Sequence, residues 1–283
     1  MKLRRSEWIL MTYFTYCILC SMVLPVRADI RLVTLALNSL VMGGVVLLAW
    51  TEGLRHNMVL GVMRDWYPLS LMLLAYREMG WFAPRSHDFH LERAWIVWDR
   101  MLLNDWGLRR AIESLGAGVP AILEMSYSLV YAIAPFCMAW LYARRKPERM
   151  DAFLTTFLTG IFLSYALFPF FPSEPPRAVF PNEDQPGVMS VFRRFNLGLV
   201  SDYGIHLSVF PSAHCSGSLS AALGMREILP EEPWVWRCLL ALAISIAIVT
   251  VYGRYHYAVD AAAGIGIAML AWMVAKRITK AVQ

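Results

Sequence analysis

Charged side chains are scarce in this sequence, at 17% of 283 residues against 58% hydrophobic, and the mean hydropathy is +0.48. That balance excludes an ordinary soluble domain. Cysteine is also sparse and scattered, at Cys17, Cys20, Cys137, Cys215 and Cys238. Four of these lie inside apolar runs, where they act as small hydrophobes, so no disulfide framework is implied. Cys17 and Cys20 have C-x-x-C spacing, but without a second pair or polar neighbours that spacing carries no zinc or redox site. Internal repeats and low-complexity linkers are missing as well. The net charge of +5 is carried mostly between the apolar runs, as at Arg144-Arg145-Lys146, which marks topology and not a nucleic-acid partner.

What is present is a series of apolar runs of roughly 20 residues, each long enough to cross a bilayer as a helix. Spans are expected at about 7–25, 30–50, 58–79, 118–142, 151–171, 210–228, 234–252 and 256–275. The fold class is therefore all-α, a polytopic transmembrane helical bundle of about eight spans. Residues 1–57 would supply two N-terminal spans and 58–283 the remainder. The first run, Trp8 to Leu24, follows Lys2, Arg4 and Arg5, and no small-residue cleavage pattern precedes Pro25-Val26-Arg27. It is expected to be retained as a span. Basic clusters at the N-terminus, 144–149 and 276–280 fall on one side of this threading, which the positive-inside rule makes cytoplasmic together with both termini. The long polar segments 80–117 and 172–209 are then extracytoplasmic, and the expected location is the cytoplasmic (inner) membrane. Near 94–115, Trp95, Trp98, Leu102 and Trp106 alternate with Arg100, Asp105, Arg109 and Arg110, as in a helix lying at the headgroups or in a connecting helix packed on the bundle.

Residues fit for chemistry gather at the outer ends of three spans. After Phe171 comes Pro172-Ser173-Glu174-Pro175-Pro176-Arg177; the span near 210 opens with Phe210-Pro211-Ser212-Ala213-His214; the last span is preceded by Tyr252-Gly253-Arg254-Tyr255-His256-Tyr257-Ala258-Val259-Asp260. His256 and Asp260, four apart, share a helix face. A carboxylate on one ring nitrogen fixes the tautomer and leaves the other nitrogen a nucleophile toward phosphorus. Ionisable residues in membrane proteins are costly and tend to be functional. Arg254 and Arg177 offer planar forks suited to phosphate. Pro211 and Ser212 suit a helix start, whose free amides favour an anion, and His214 in the first turn titrates in the range proton transfer needs. Cys215 points about 100° away from His214 and cannot form a bonded Cys/His pair with it. His206 is a further candidate site residue or metal ligand.

The Pro-Ser-Ala-His at 211–214 and Gly-Arg-Tyr-His-Tyr-Ala-Val-Asp at 253–260 resemble the second and third signatures of the type 2 phosphatidate phosphatase superfamily. Ser173-Glu174-Pro175-Pro176-Arg177 resembles the variant first signature of the branch related to inositolphosphorylceramide synthases. Where the commoner branch has a Lys seven residues before that Arg, this chain has Phe170. The resemblance spans roughly 58 to 275 and implies a six-helix core. It also implies His256 as nucleophile, Asp260 as its orienting partner, His214 as general acid and base, and Arg177, Ser212 and Arg254 as phosphate ligands, with no metal and no other cofactor. Chemistry alone does not separate the roles of the two histidines. The expected function is an integral-membrane lipid phosphatase or phosphotransferase that acts, without a metal, on a phospholipid or polyprenyl (pyro)phosphate headgroup through a phosphohistidine intermediate, with membrane lipids as its partners. The alternatives are an inositolphosphoryl-type headgroup transferase, a metal-dependent hydrolase using His214, His256, Asp260 and His206, and a transporter. A CDP-alcohol-type transferase needs spaced aspartates that the chain lacks.

Overall fold

The structure is a computed structural model that describes residues 2–55, 57–84, 87–205, 207 and 209–280, without the side chains of 279 and 280. The predicted candidate His206 lies outside the described residues. In chain order the helices are α1 (Arg5–Val23), α2 (Ala28–Arg55), α3 (Met58–Phe82), α4 (His90–Arg100), α5 (Leu108–Ser114), α6 (Gly118–Leu129), α7 (Ile133–Ala143), α8 (Met150–Leu167), the single turn α9 (Pro176–Val179), α10 (Val191–Tyr203), α11 (Ala213–Ile228), α12 (Pro233–Tyr252) and α13 (Ala258–Lys280). A π-turn, Met101–Asp105, joins α4 toward α5, and a 3-10 turn, Val130–Ala132, separates α6 from α7. Among the described residues there is no strand.

Seven helical segments are long and apolar enough to span a membrane: α1, α2, α3, α6 with α7, the segment containing α8, α12 and α13. The eighth expected span, 210–228, is α11. It has sixteen residues, about 24 Å of helix, and so falls short of ~30 Å of hydrocarbon. Its composition explains the difference. Ser216, Gly217, Ser218 and Ser220 are all buried, and α11 packs on α8, α12 and α13, so its surroundings are protein, where small residues allow close approach. A Cβ on Gly160 of α8 would stand 2.1 Å from Ser220 Oγ, and Ser164 donates to Ser216 Oγ at 2.7 Å.

Polar contacts order the two ends of the bundle. At one end Ser6 Oγ donates to Asp151 at 2.7 Å, the buried Arg64 pairs with Glu7 and Glu52, Tyr142 donates to Asp65 and Arg149 meets Glu231 at 2.7 Å. Lys276 meets Glu227 there at 3.2 Å. This basic end therefore gathers the starts of α1, α3, α8 and α12 and the ends of α2, α7, α11 and α13. The opposite end carries α4, α5, α9, α10 and the segments joining them.

Candidate active site

The turn after α12 is the first element that positions side chains. Gly253 N–H donates to Val249 O (2.7 Å), Arg254 N–H to Val251 O (3.0 Å) and Tyr255 N–H to Thr250 O (2.9 Å), the bond pattern of a Schellman stop. The left-handed position of that stop usually holds glycine, yet here it is Arg254, at φ 64°. A non-glycine residue in this region is uncommon and clusters at functional sites. The conformation turns the Arg254 side chain into the protein, where it is fully buried. Its Nη1 donates to Asp99 Oδ2 at 2.6 Å. Its Nε and Nη2 are buried and have no partner among the described residues. An arginine fork with one arm pinned and two donors open is shaped for an oxyanion.

His256 follows on the same turn. Its Nδ1 lies 3.3 Å from Asp260 Oδ2, and that oxygen also accepts the Tyr257 N–H at 2.9 Å. Its Nε2 faces His214 Nδ1 at 3.4 Å. Asp260 is fully buried and His256 6% exposed. Burial first, and the positive charge of Arg177 second, hold the His256 imidazole down at about 3, so at neutral pH it is uncharged and keeps a lone pair.

The start of α11 is held against this turn. Ser212 N–H donates to Asp260 O at 3.0 Å, and Ser212 Oγ caps the helix by accepting the Cys215 N–H at 3.4 Å. The first-turn amides of α11 thus open at the same end as His256, a setting that favours an anion. Glycine is required where α13 passes: a Cβ on Gly264 would lie 2.5 Å from Ser212 O. His214 is oriented from α6, whose Tyr127 stacks on the imidazole at 4.8 Å and on Tyr255 at 4.1 Å.

Arg177 arrives on α9. Its N–H donates to Arg254 O (3.2 Å), its Nη1 donates to Tyr255 O (3.3 Å), and its guanidinium lies 5.5 Å from the Tyr255 ring centroid. Burial lowers its pKa. The structure thus brings His214, His256, Asp260, Arg177, Ser212 and Arg254 to one end of the bundle. A cavity of about 500 Å3 opens from Arg177 toward α10, bordered by Glu174, Gln185, Arg193 and Ile205.

Several residues of the site are not evident in the sequence. Asp99 of α4 holds Arg254 and also accepts the Ala258 N–H at 2.8 Å, tying down the first turn of α13. Glu92, two turns earlier on α4, accepts the Glu174 N–H at 2.8 Å and contacts His87 Nε2 at 2.6 Å. Both carboxylates are fully buried. Arg193 of α10 is 2% exposed; it donates to Glu124 Oε1 at 2.8 Å and to Gly253 O at 3.1 Å, while Glu124 Oε2 accepts from Tyr255 OH at 2.7 Å. The one available signal was the seven-residue spacing of Glu92 and Asp99, which places both on one face of an otherwise amphipathic stretch.

A family model described as the PAP2 superfamily matches residues 93–274, which include most of α4 and all three motif segments. No curated protein and no solved structure matches the chain.

Proposed function

The chain belongs to the PAP2 superfamily, and from that premise we propose that it is a lipid phosphatase or phosphotransferase working through a phosphohistidine. The membership and the seven apolar helices make it an integral-membrane protein of lipid-phosphatase type. The finer reading is carried by one observation, the line Asp260–His256–His214, whose His256 stands on the same turn as Arg254 with its two open donors.

In this reading the phosphoryl group of a lipid phosphate displaces the contact between the two imidazoles. His256 Nε2 attacks phosphorus and the bond to the lipid oxygen breaks, that oxygen taking a proton from His214, which the bound phosphate dianion holds in its imidazolium form. Asp260 holds the opposite ring nitrogen and stabilises the cation that forms. Arg254, Arg177, Ser212 and the α11 amides meet the equatorial oxygens, where phosphoryl transfer most needs stabilisation. Water, or an alcohol in a headgroup transferase of the inositolphosphorylceramide synthase branch, then attacks the phosphohistidine while His214 takes its proton. Residues 58–283 act as the six-helix core and 1–57 as two added spans. The site end faces outward and the basic end lies in the cytoplasm.

The test is phosphate release from phosphatidate by purified protein in detergent. His256→Ala should lower turnover about 10^4-fold or more, and turnover near the wild-type level in that variant overturns the reading. Replacing phosphatidate by a phosphodiester donor such as phosphatidylinositol, adding a lipid alcohol and scoring a new phosphodiester separates headgroup transferase from phosphatase.

A further inference from the structure

Two apolar features border the site end, and only one leads to an imidazole. The first is a cleft of about 430 Å3 between α12 and α13, floored by Cys215 and Leu219 and edged by Ala243, Ala247 and Ile265. Toward the site it ends on Leu103, Cys215 and Val251, which pack together with no more than 4% of any of them exposed. Cys215 directly follows His214 in a helix, so the two side chains point about 100° apart. The cleft therefore faces away from the chemistry.

The second feature lies on the opposite flank, along α6. Tyr127 stacks on His214 and is 1% exposed, whereas Tyr131, one turn on, meets the same imidazole edge-on at 6.1 Å and is 51% exposed. The outside of the bundle thus comes within one ring of His214. Tyr131 sits in the 3-10 turn that interrupts α6 and α7, a type of break that often marks a functional hinge. Leu129 and Phe136 beside it are also exposed. Tyr76 of α3 packs against Tyr165 of α8, their ring centroids 5.7 Å apart. Tyr76 also anchors the segment above by accepting the Ile205 N–H at 3.0 Å. A tyrosine, with its apolar body and polar tip, suits a place where hydrocarbon meets a wet, charged site.

We infer that the hydrocarbon chain of the lipid substrate reaches His214 sideways from the bilayer, past Tyr131 at the 3-10 break, and that this ring sets which chains are accepted. The inference rests on the lipid-phosphate reading above. A chain entering here stays in apolar surroundings while its phosphate meets Arg177 and the imidazoles, so the lipid is not drawn through water.

The experiment compares kcat/KM for long-chain and short-chain phosphatidate with purified protein. Tyr131→Trp narrows the passage and should lower the long-to-short ratio about tenfold, and Tyr131→Ala should move it the other way. Ala247→Phe fills the cleft between α12 and α13 and should leave the ratio unchanged. A ratio indifferent to both Tyr131 variants, or one shifted by Ala247→Phe, overturns the inference. A second measurement is independent of turnover: a benzophenone side chain at position 131 should capture fluorescent phosphatidate in vesicles, and one at position 247 should not. Failure of capture at 131 overturns the route, whereas capture without phosphate release from any phosphatidate overturns the proposed function instead.

Discussion

Arg254 and Asp99 form the most constrained pair in the site, with both side chains fully buried and 2.6 Å between the charged atoms. Removing one partner of such a pair typically costs 3–5 kcal/mol because the other charge remains uncompensated. Asp99→Asn should therefore lower the thermal stability of the detergent-solubilised protein and raise KM by about tenfold or more, while Arg254→Lys should keep the pair but lose the open fork and with it turnover. The pair also gives the site a pH dependence. Burial pushes the Asp99 carboxyl up to about 6, against the Ala258 N–H and Arg254, whereas His256 is held at about 3. Asp99 is ionised above about 6 and loses its charge as pH falls through that value, while His256 stays neutral. KM should accordingly rise on acidification through about pH 6 with little change in kcat. A lipid phosphate also titrates near 6, and the Asp99→Asn profile separates the two, because the protein's contribution is missing from it. An acid limb identical in wild type and Asp99→Asn would contradict this assignment.

At the scale of elements, α4 ties the motif segments together. Glu92 anchors the segment that leads to Arg177, and Asp99 anchors both the turn carrying Arg254 and the start of α13. The motif residues themselves were legible in the sequence because their chemistry and their position at span ends coincide. The brace was not, because acidic residues in an amphipathic stretch normally read as a solvated face, and only tertiary packing shows that these two are buried. α11 crosses from the site end to the basic end in sixteen residues, and its Ser and Gly residues, which lower its hydropathy, are tolerated because α8, α12 and α13 surround it. The close crossing of α11 and α13 gives a paired test. Gly264→Ala puts a methyl 2.5 Å from Ser212 O, whereas nothing lies within 4 Å of a Cβ on Gly266. The first should cost about 1–3 kcal/mol and most of the activity. The second should be neutral or slightly stabilising, and equal loss in both variants would refute the packing argument.

For the whole molecule, the spans and the gathering of the excess positive charge at one end follow from hydropathy and the spacing of charge, so the architecture was largely readable in advance. The helices that cap the other end were less so, since α10 has its polar Arg193 and Asn196 inside while Phe192 and Phe195 face out. Orientation is open to direct measurement. Cysteines introduced at Glu148, on the basic end, and at Ser114, on the site end, are both at exposed positions. An impermeant maleimide should label Ser114→Cys in right-side-out vesicles and Glu148→Cys in inverted ones; the reverse pattern would invert the topology. The enclosure of the Arg254–Asp99 pair has a consequence for capture of substrate. Dissolved electrolyte weakens attraction between exposed charges over about 10 Å at 0.1 M but screens buried ones far less. The excess positive charge of this chain sits mainly at the far end, so no broad field draws anionic lipid to the site. The concentration of simple salt should accordingly matter little to kcat/KM, and a membrane rich in competing anionic lipid should matter little more.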